Sequence, residues 1–266
     1  MFTTYQHRSD RKPMEHDLQK ASLWKRISAG TFDWILTGIL AVGFAFLLSA
    51  LLGYDGYAQT VNDAYDKYGQ LYGVDFGISQ EEYLTLTPEQ LQLYDQASAA
   101  MNADEEAVHA YTMMTNLILL MTTGGILFSI LLMEFFVPLW LKNGQTLGKK
   151  VFGICLMRTD GVQINNLQLF TRTILGKFTI ETMVPVYIIL MLFFGNIGLT
   201  GTVILFGIVL AQLLILAFTR NNSLIHDLLA GTAVVDFASQ RIFRSTEELV
   251  EYQKKIAAER AARQEY

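Results

Sequence analysis

The segment Thr182–Thr219 runs for 38 residues without an Asp, Glu, Lys, Arg or His. As one helix it would reach about 57 Å, nearly twice the roughly 30 Å hydrocarbon core of a bilayer. Gly195-Asn196-Ile197-Gly198, a cluster of helix breakers, sits in its middle. Two membrane-spanning helices joined by a very short turn satisfy both facts, because lipid offers no partner to backbone groups outside a helix or closed barrel. Two further stretches fit the same template. Trp34–Tyr54 is uncharged, and Ala110–Met133 is uncharged and followed by Glu134 and the apolar run Phe135–Leu141. The chain is therefore expected to be an all-α membrane protein, a four-helix bundle with spans at about 27–53, 112–141, 174–194 and 197–218.

Charge distribution orients these spans. Six of the 20 Lys and Arg lie in 1–26, six in 142–177 and seven in 220–266, leaving Lys67 alone between the first two spans. The positive-inside rule then places both termini and the loop 142–173 in the cytoplasm of a multi-pass cell-membrane protein. The segment 54–110, with 11 acidic residues and one basic over 53–110, falls outside. The N-terminal arm, residues 1–22, is polar and carries no pattern of a cleaved signal peptide. The transmembrane domain is expected over 23–237, and a helical cytoplasmic tail over 238–266.

Local motifs fill in the polar segments. Ser79 with Glu82, Thr87 with Gln90, and Asn102 with Glu105 are capping boxes. They predict helices at about 80–84, 88–101 and 103 onward, so the outside insert is expected to be a small helical cap. Residues 62–75 do not place oxygen ligands and glycine in calcium-loop register. Asp160-Gly161 between Val151–Arg158 and Val162–Asn165 predicts a β-hairpin, and Thr232–Phe237 is expected to join it in a small cytoplasmic sheet. Ser245 with Glu248 caps a helix in the tail.

Ionisable residues within spans are costly and point to function. Asp33 lies seven residues after Arg26, on the same helix face and about 10 Å deeper. Three readings of it compete: a structural ion pair, a proton or cation relay, and interfacial snorkelling. Its expected partners are Lys177, Arg172 or a backbone donor from 220–232. Glu181 divides among the same three readings. Glu134, close to Lys142, reads as an interfacial residue. His226-Asp227 is either a turn and helix cap or a titrating pair near neutral pH. Lys149 and Lys150 read as contacts to anionic lipid headgroups.

Several classes drop out. Cys155, the single cysteine, excludes an internal disulfide framework. No nucleophile–base pair, zinc spacing or phosphate loop is present, so neither an enzyme, a metal site nor a cofactor is expected, and no nucleic-acid partner. The expected partners are the lipid bilayer, a cation or small solute, and a second copy or another membrane protein. Thr122–Gly125 and Gly198, Gly201 and Thr202 would allow close helix approach.

Three segments together resemble the RDD family: Lys25-Arg26 with Ala29-Gly30 and Phe32-Asp33, Gly144-Gln-Thr-Leu-Gly-Lys149 with Gly153, and His226-Asp227-Leu-Leu-Ala-Gly-Thr232. The resemblance covers about 20–237 and treats 54–110 as an enlarged insert. It implies that Arg26, Asp33 and Asp227 are the arginine and two aspartates for which the family is named. It also implies transport of an unidentified ligand, with sodium/proton exchange among the associated activities. A non-transporting scaffold that organises a partner protein is the alternative.

Overall fold

The computed structural model describes residues 18–193, 197–219 and 221–264. Among these, four helices are long and apolar enough to cross a membrane: α1 (Leu23–Leu52), α5 (Glu105–Leu141), α7 (Asn166–Leu192) and α8 (Gly198–Phe218). Large apolar side chains along them stand exposed, among them Trp34, Phe46, Phe206 and Leu213. That is the arrangement expected when lipid rather than water is the solvent. The expected break at Gly195-Asn196 and most of the N-terminal arm lie outside the described residues.

The chain forms two compact units, one reaching to Thr37 and resuming at Ile130, the other Gly38–Ser129. In the second, Gly53 adopts φ 70° and ends α1, and α2 (Tyr54–Tyr72) follows at once. Sequence motifs did not announce α2, which packs against α4 (Pro88–Ala103). The short helix α3 (Gln80–Leu84) has the expected Ser79–Glu82 capping box, and α4 has the Thr87–Gln90 one. The third box is corrected. Asp104, not Asn102, caps α5, accepting from the backbone of Glu106 (3.1 Å) and Ala107 (3.3 Å). Asp104 also accepts from Lys67 (3.0 Å) and Tyr68 (2.9 Å). These two bonds lead the causes that hold its carboxyl down at about 2.

In the first unit, β1 (Ile154–Arg158) follows the short helix α6 (Leu147–Val151). It pairs antiparallel with β2 (Thr232–Asp236), Ile154 opposite Asp236 and Arg158 opposite Thr232. The expected hairpin is only partly made. Val162–Asn165 makes a single bridge to β1, Met157 to Gln163, because Val162 bridges Phe243 instead, with Gln163 N–H donating to Phe243 O and Phe243 N–H to Gly161 O. The other edge of β2 is taken by residues just before α1: Asp236 N–H donates to Gln19 (3.0 Å) and Ala21 N–H to Val234 (3.3 Å). Both sheet faces are covered. Ile154, Leu156 and Val234 pack with Ala29 and Leu169, while Cys155, Met157 and Val235 pack with Leu18 and Ile242. Burial on both faces explains why β1 reads as a continuous apolar run. It also pushes the Cys155 thiol up to about 12, which makes it unreactive.

After α8, the short helix α9 (Ile225–Ala230) ends at Gly231 (φ 63°) and packs closely on α7. The tail helix α10 (Thr246–Gln264) begins at the expected Ser245 cap, 3.3 Å from the Glu248 N–H. Glu248 itself bonds back to Arg244 rather than to Ser245.

Candidate functional site

Two helices of the first unit depart from α geometry. Leu131–Phe136 in α5 and Arg172–Met183 in α7 are π-helical, closing backbone bonds five residues apart, as from Val184 N–H to Thr179 O. The departure changes which residues share a face. In an α-helix, Lys177 and Glu181 would lie about 140° and 180° around from Arg172. With roughly 4.4 residues per π turn they lie within about 50° of it. The three are thereby brought to one face, toward α5 and α9. The Thr182 hydroxyl donates to Lys177 O (2.8 Å), adding a partner for a carbonyl in the widened turn.

On that face sits a buried cluster of opposite charges. Arg172 is 2% exposed; its Nε donates to Asp227 Oδ1 (3.1 Å) and its Nη1 to Glu134 Oε2 (3.3 Å). Glu134 is also paired with Lys177 and lies 3.6 Å from Lys149 Nζ. Asp227 accepts from Thr232 (3.1 Å) and faces Arg26 Nη2 at 3.5 Å, and Arg26 Nη1 donates to Asn221 O (3.1 Å). Glu181 holds His226 twice, at its backbone N–H (3.1 Å) and at Nδ1 (2.7 Å).

Asp33 belongs to the same region with partners other than those expected. Neither Arg172, Lys177 nor the 220–232 segment holds it. Its Oδ2 accepts from the Thr146 hydroxyl (2.5 Å) and its Oδ1 from Gly148 N–H (2.7 Å), both at the start of α6. Gly148 permits this approach: a Cβ there would meet Ala29 O and lie 2.9 Å from the Asp33 carboxyl. Lys149 is a second correction. Its side chain turns inward to Thr146 Oγ1 (3.2 Å) and Glu134 instead of outward to headgroups, because two buried carboxylates lie on the inner side. Lys150 is exposed. Glu134, read as interfacial, is the third: it is 2% exposed and central to the cluster. The usable signal was its depth, seven residues or about two turns inside the end of α5. Thr146 was visible only as part of the Gly144–Lys149 motif.

Electrostatics follow from burial. Asp33, Glu134, Glu181 and Asp227 meet Arg26, Lys149, Arg172 and Lys177, so charge cancels with His226 neutral. Burial and the nearby Arg172 lower the His226 pKa, against the pull of Asp227 and Glu181. Burial alone would raise the Asp227 carboxyl, but the facing cations Arg172 and Arg26, with His226 when protonated, hold it well below the ordinary range. Burial pulls Lys149 down to about 8, aided by Arg172 and Lys177 and opposed by Glu134 and Asp33.

The lowered His226 pKa has a testable sign. Below pH 6.5 the unfolded chain takes up a proton on this histidine before the folded chain does. Stability conferred by keeping it neutral is therefore complete above that pH and lost progressively as pH falls. Melting temperature in detergent should drop between about pH 7 and pH 5, and drop less in His226→Gln, which can still donate to Glu181. Equal drops in both proteins would assign the effect to other groups.

The charged side chains border a cavity of about 400 Å³ that is also lined by apolar residues, among them Leu23, Ile27, Trp34 and Leu216. Arg26, Asp33, Lys149, Arg172, Lys177, Glu181, His226 and Asp227 all border it. Among the described residues no group of His, Cys, Asp and Glu is arranged to hold a metal ion.

A family model described as the RDD family matches residues 20–231. No curated protein and no solved structure matches the chain.

Proposed function

The chain belongs to the RDD family, and from that premise we propose that it moves a small cation or other small solute across the cell membrane, coupled to protons. The observation that carries this reading is the set of charged side chains lining the cavity of about 400 Å³, among helices able to span a bilayer. Removing eight ionisable groups from water costs several kcal/mol for each ion before pairing offsets it, and apolar residues of similar size are often as stable. A cluster maintained at that cost suits a site that charged species enter and leave. Lys149, brought down to about 8 by burial, supplies a group that changes protonation not far above neutral pH. In the orientation that the Lys and Arg distribution favours, the cavity opens toward the cytoplasmic leaflet and both termini are cytoplasmic. Two copies would provide eight spans, a number better suited to alternating access than four.

One observation favours a second reading, a scaffold that docks a partner membrane protein. Asp33 is 2% exposed and both its oxygens are occupied by donors from the chain itself. The two readings part in vesicles. Purified protein is reconstituted, and proton movement driven by sodium, potassium or lithium is followed over about pH 6–9. Transport predicts flux in wild type and its loss in a well-folded Asp33→Asn. Intact wild type that carries none of these ions would remove the cation-exchange form of the reading, and a co-purifying partner lost in Asp33→Asn would support the scaffold.

A further inference from the structure

Within the cluster, two of the four cations cannot exchange a proton. Arg26 and Arg172 keep theirs at any physiological pH. Lys177 is directly paired with Glu134, with its side chain 24% exposed. Lys149 differs. Its side chain is 9% exposed, its salt-bridge contact to Glu134 is a loose 3.6 Å, and its Nζ lies 3.2 Å from Thr146 Oγ1. That oxygen is in turn 2.5 Å from Asp33 Oδ2. One hydroxyl, 0% exposed, thus stands between an ammonium and a carboxylate that both border the cavity.

We propose that the Thr146 hydroxyl relays a proton between Lys149 and Asp33, with Lys149 as the store from which the coupled proton is drawn. The proposal rests on the transport reading for its purpose, but not for its test. In the step, an Nζ–H bond of Lys149 breaks as a new O–H bond forms at Thr146. The hydroxyl's own proton passes at the same time to Asp33 Oδ2. The products are a neutral amine and a neutral carboxylic acid, and Thr146 ends as the hydroxyl it began. No charge leaves the cluster and no further reactant is needed.

The surroundings keep the three groups in line. Gly148 N–H holds Oδ1, which leaves Oδ2 turned toward Thr146. The Lys149 backbone N–H, 3.3 Å away, fixes the Thr146 oxygen at the start of α6. Groups facing Lys149 come from every neighbouring element: Glu134 on α5, Asp33 on α1, and Arg172 and Lys177 on α7. Burial, with the two added cations, weakens the hold of Lys149 on its proton, which brings its release to about pH 8. A helix cap alone would need only an acceptor for the Lys149 N–H. It would not require a hydroxyl that also donates to Asp33.

The test is nitrogen NMR of lysine side chains in full-length protein in nanodiscs, with the Lys149 signal identified by its absence in K149R. Wild type should titrate near pH 8. Exchange of the Lys149 ammonium protons with water should slow on the order of 10²-fold in T146V and in D33N, the scale of a lost relay. T146S, which keeps the hydroxyl, should retain most of the wild-type rate. If T146V does not fold, D33N against T146S decides the matter. Exchange in T146V or D33N as fast as in wild type overturns the relay. A Lys149 signal still protonated above about pH 10 overturns its role as a store. Wild type that shows the exchange pattern but carries no ion in vesicles keeps the relay and removes only the transport reading.

Discussion

Arg172→Met will lower stability by about 3–5 kcal/mol, the usual cost of stripping one partner from a buried ion pair. Arg172 is the link between two carboxylates: Nε serves Asp227 and Nη1 serves Glu134. Methionine fills much of the space and supplies no charge, so both acids lose their nearest fully buried cation. Glu134 retains Lys149 and Lys177, and Asp227 retains Arg26 at 3.5 Å, so the loss falls short of isolating either. Thermal unfolding in detergent reads the effect, with the exposed Lys150→Met as a control expected within about 0.5 kcal/mol of wild type. Adding Glu134→Gln to Arg172→Met should recover part of the loss, since it removes one of the two stranded charges. Equal melting of the Arg172 and Lys150 variants would show that Arg172 is not holding the cluster together.

Gly176→Ala is the second large effect, at about 2–3 kcal/mol, the upper part of the usual range for overpacking. A Cβ at Gly176 would stand 2.5 Å from the Cα of His226 and closer still to its Cβ. Those atoms sit in the first turn of α9 and cannot swing aside as a flexible side-chain end could. Relief requires α9 to move off α7, which also pulls His226 from Glu181. The matched control is Gly207→Ala in α8, where a Cβ meets nothing within 4 Å. It should be neutral or stabilising by up to about 1 kcal/mol, as alanine is the better helix former. Melting curves for the pair, with protease resistance as a second readout, test the contrast. A Gly176→Ala protein as stable as Gly207→Ala would refute the close packing of α7 on α9.

Features governed by local chemistry were legible in the sequence. The membrane spans follow from uncharged length, and Ser79, Thr87 and Ser245 cap helices where their spacing predicts. Asp104 escaped because a cap pattern two residues earlier, at Asn102, looked complete, while the Lys67 and Tyr68 bonds that favour Asp104 come from 37 and 36 residues away. The hairpin at Asp160-Gly161 was overstated for a similar reason: the turn is local, but the competing partner, Phe243, is distant. The resemblance brought Arg26, Asp33 and Asp227 forward, and the structure places all three at one cavity. It could not show that Thr146 and Gly148 hold Asp33, because a threonine and a glycine in a turn carry no charge signal. Glu134 and Arg172 remained hidden as partners because helix-face reasoning assumes 3.6 residues per turn, and both lie in segments that do not obey it.

That departure has a mechanical consequence. A π segment is a helix with its register stretched, and returning one bond pattern to α geometry advances every residue beyond it by a fraction of a turn. If Arg172–Met183 relaxed in this way, Lys177 and Glu181 would swing roughly 90° and 165° away from the face they share with Arg172. A twist of this kind would uncouple Lys177 from Glu134 and Glu181 from His226, withdrawing one cation and one anion from the cavity's lining while Arg26, Asp33, Lys149, Arg172 and Asp227 stay on it.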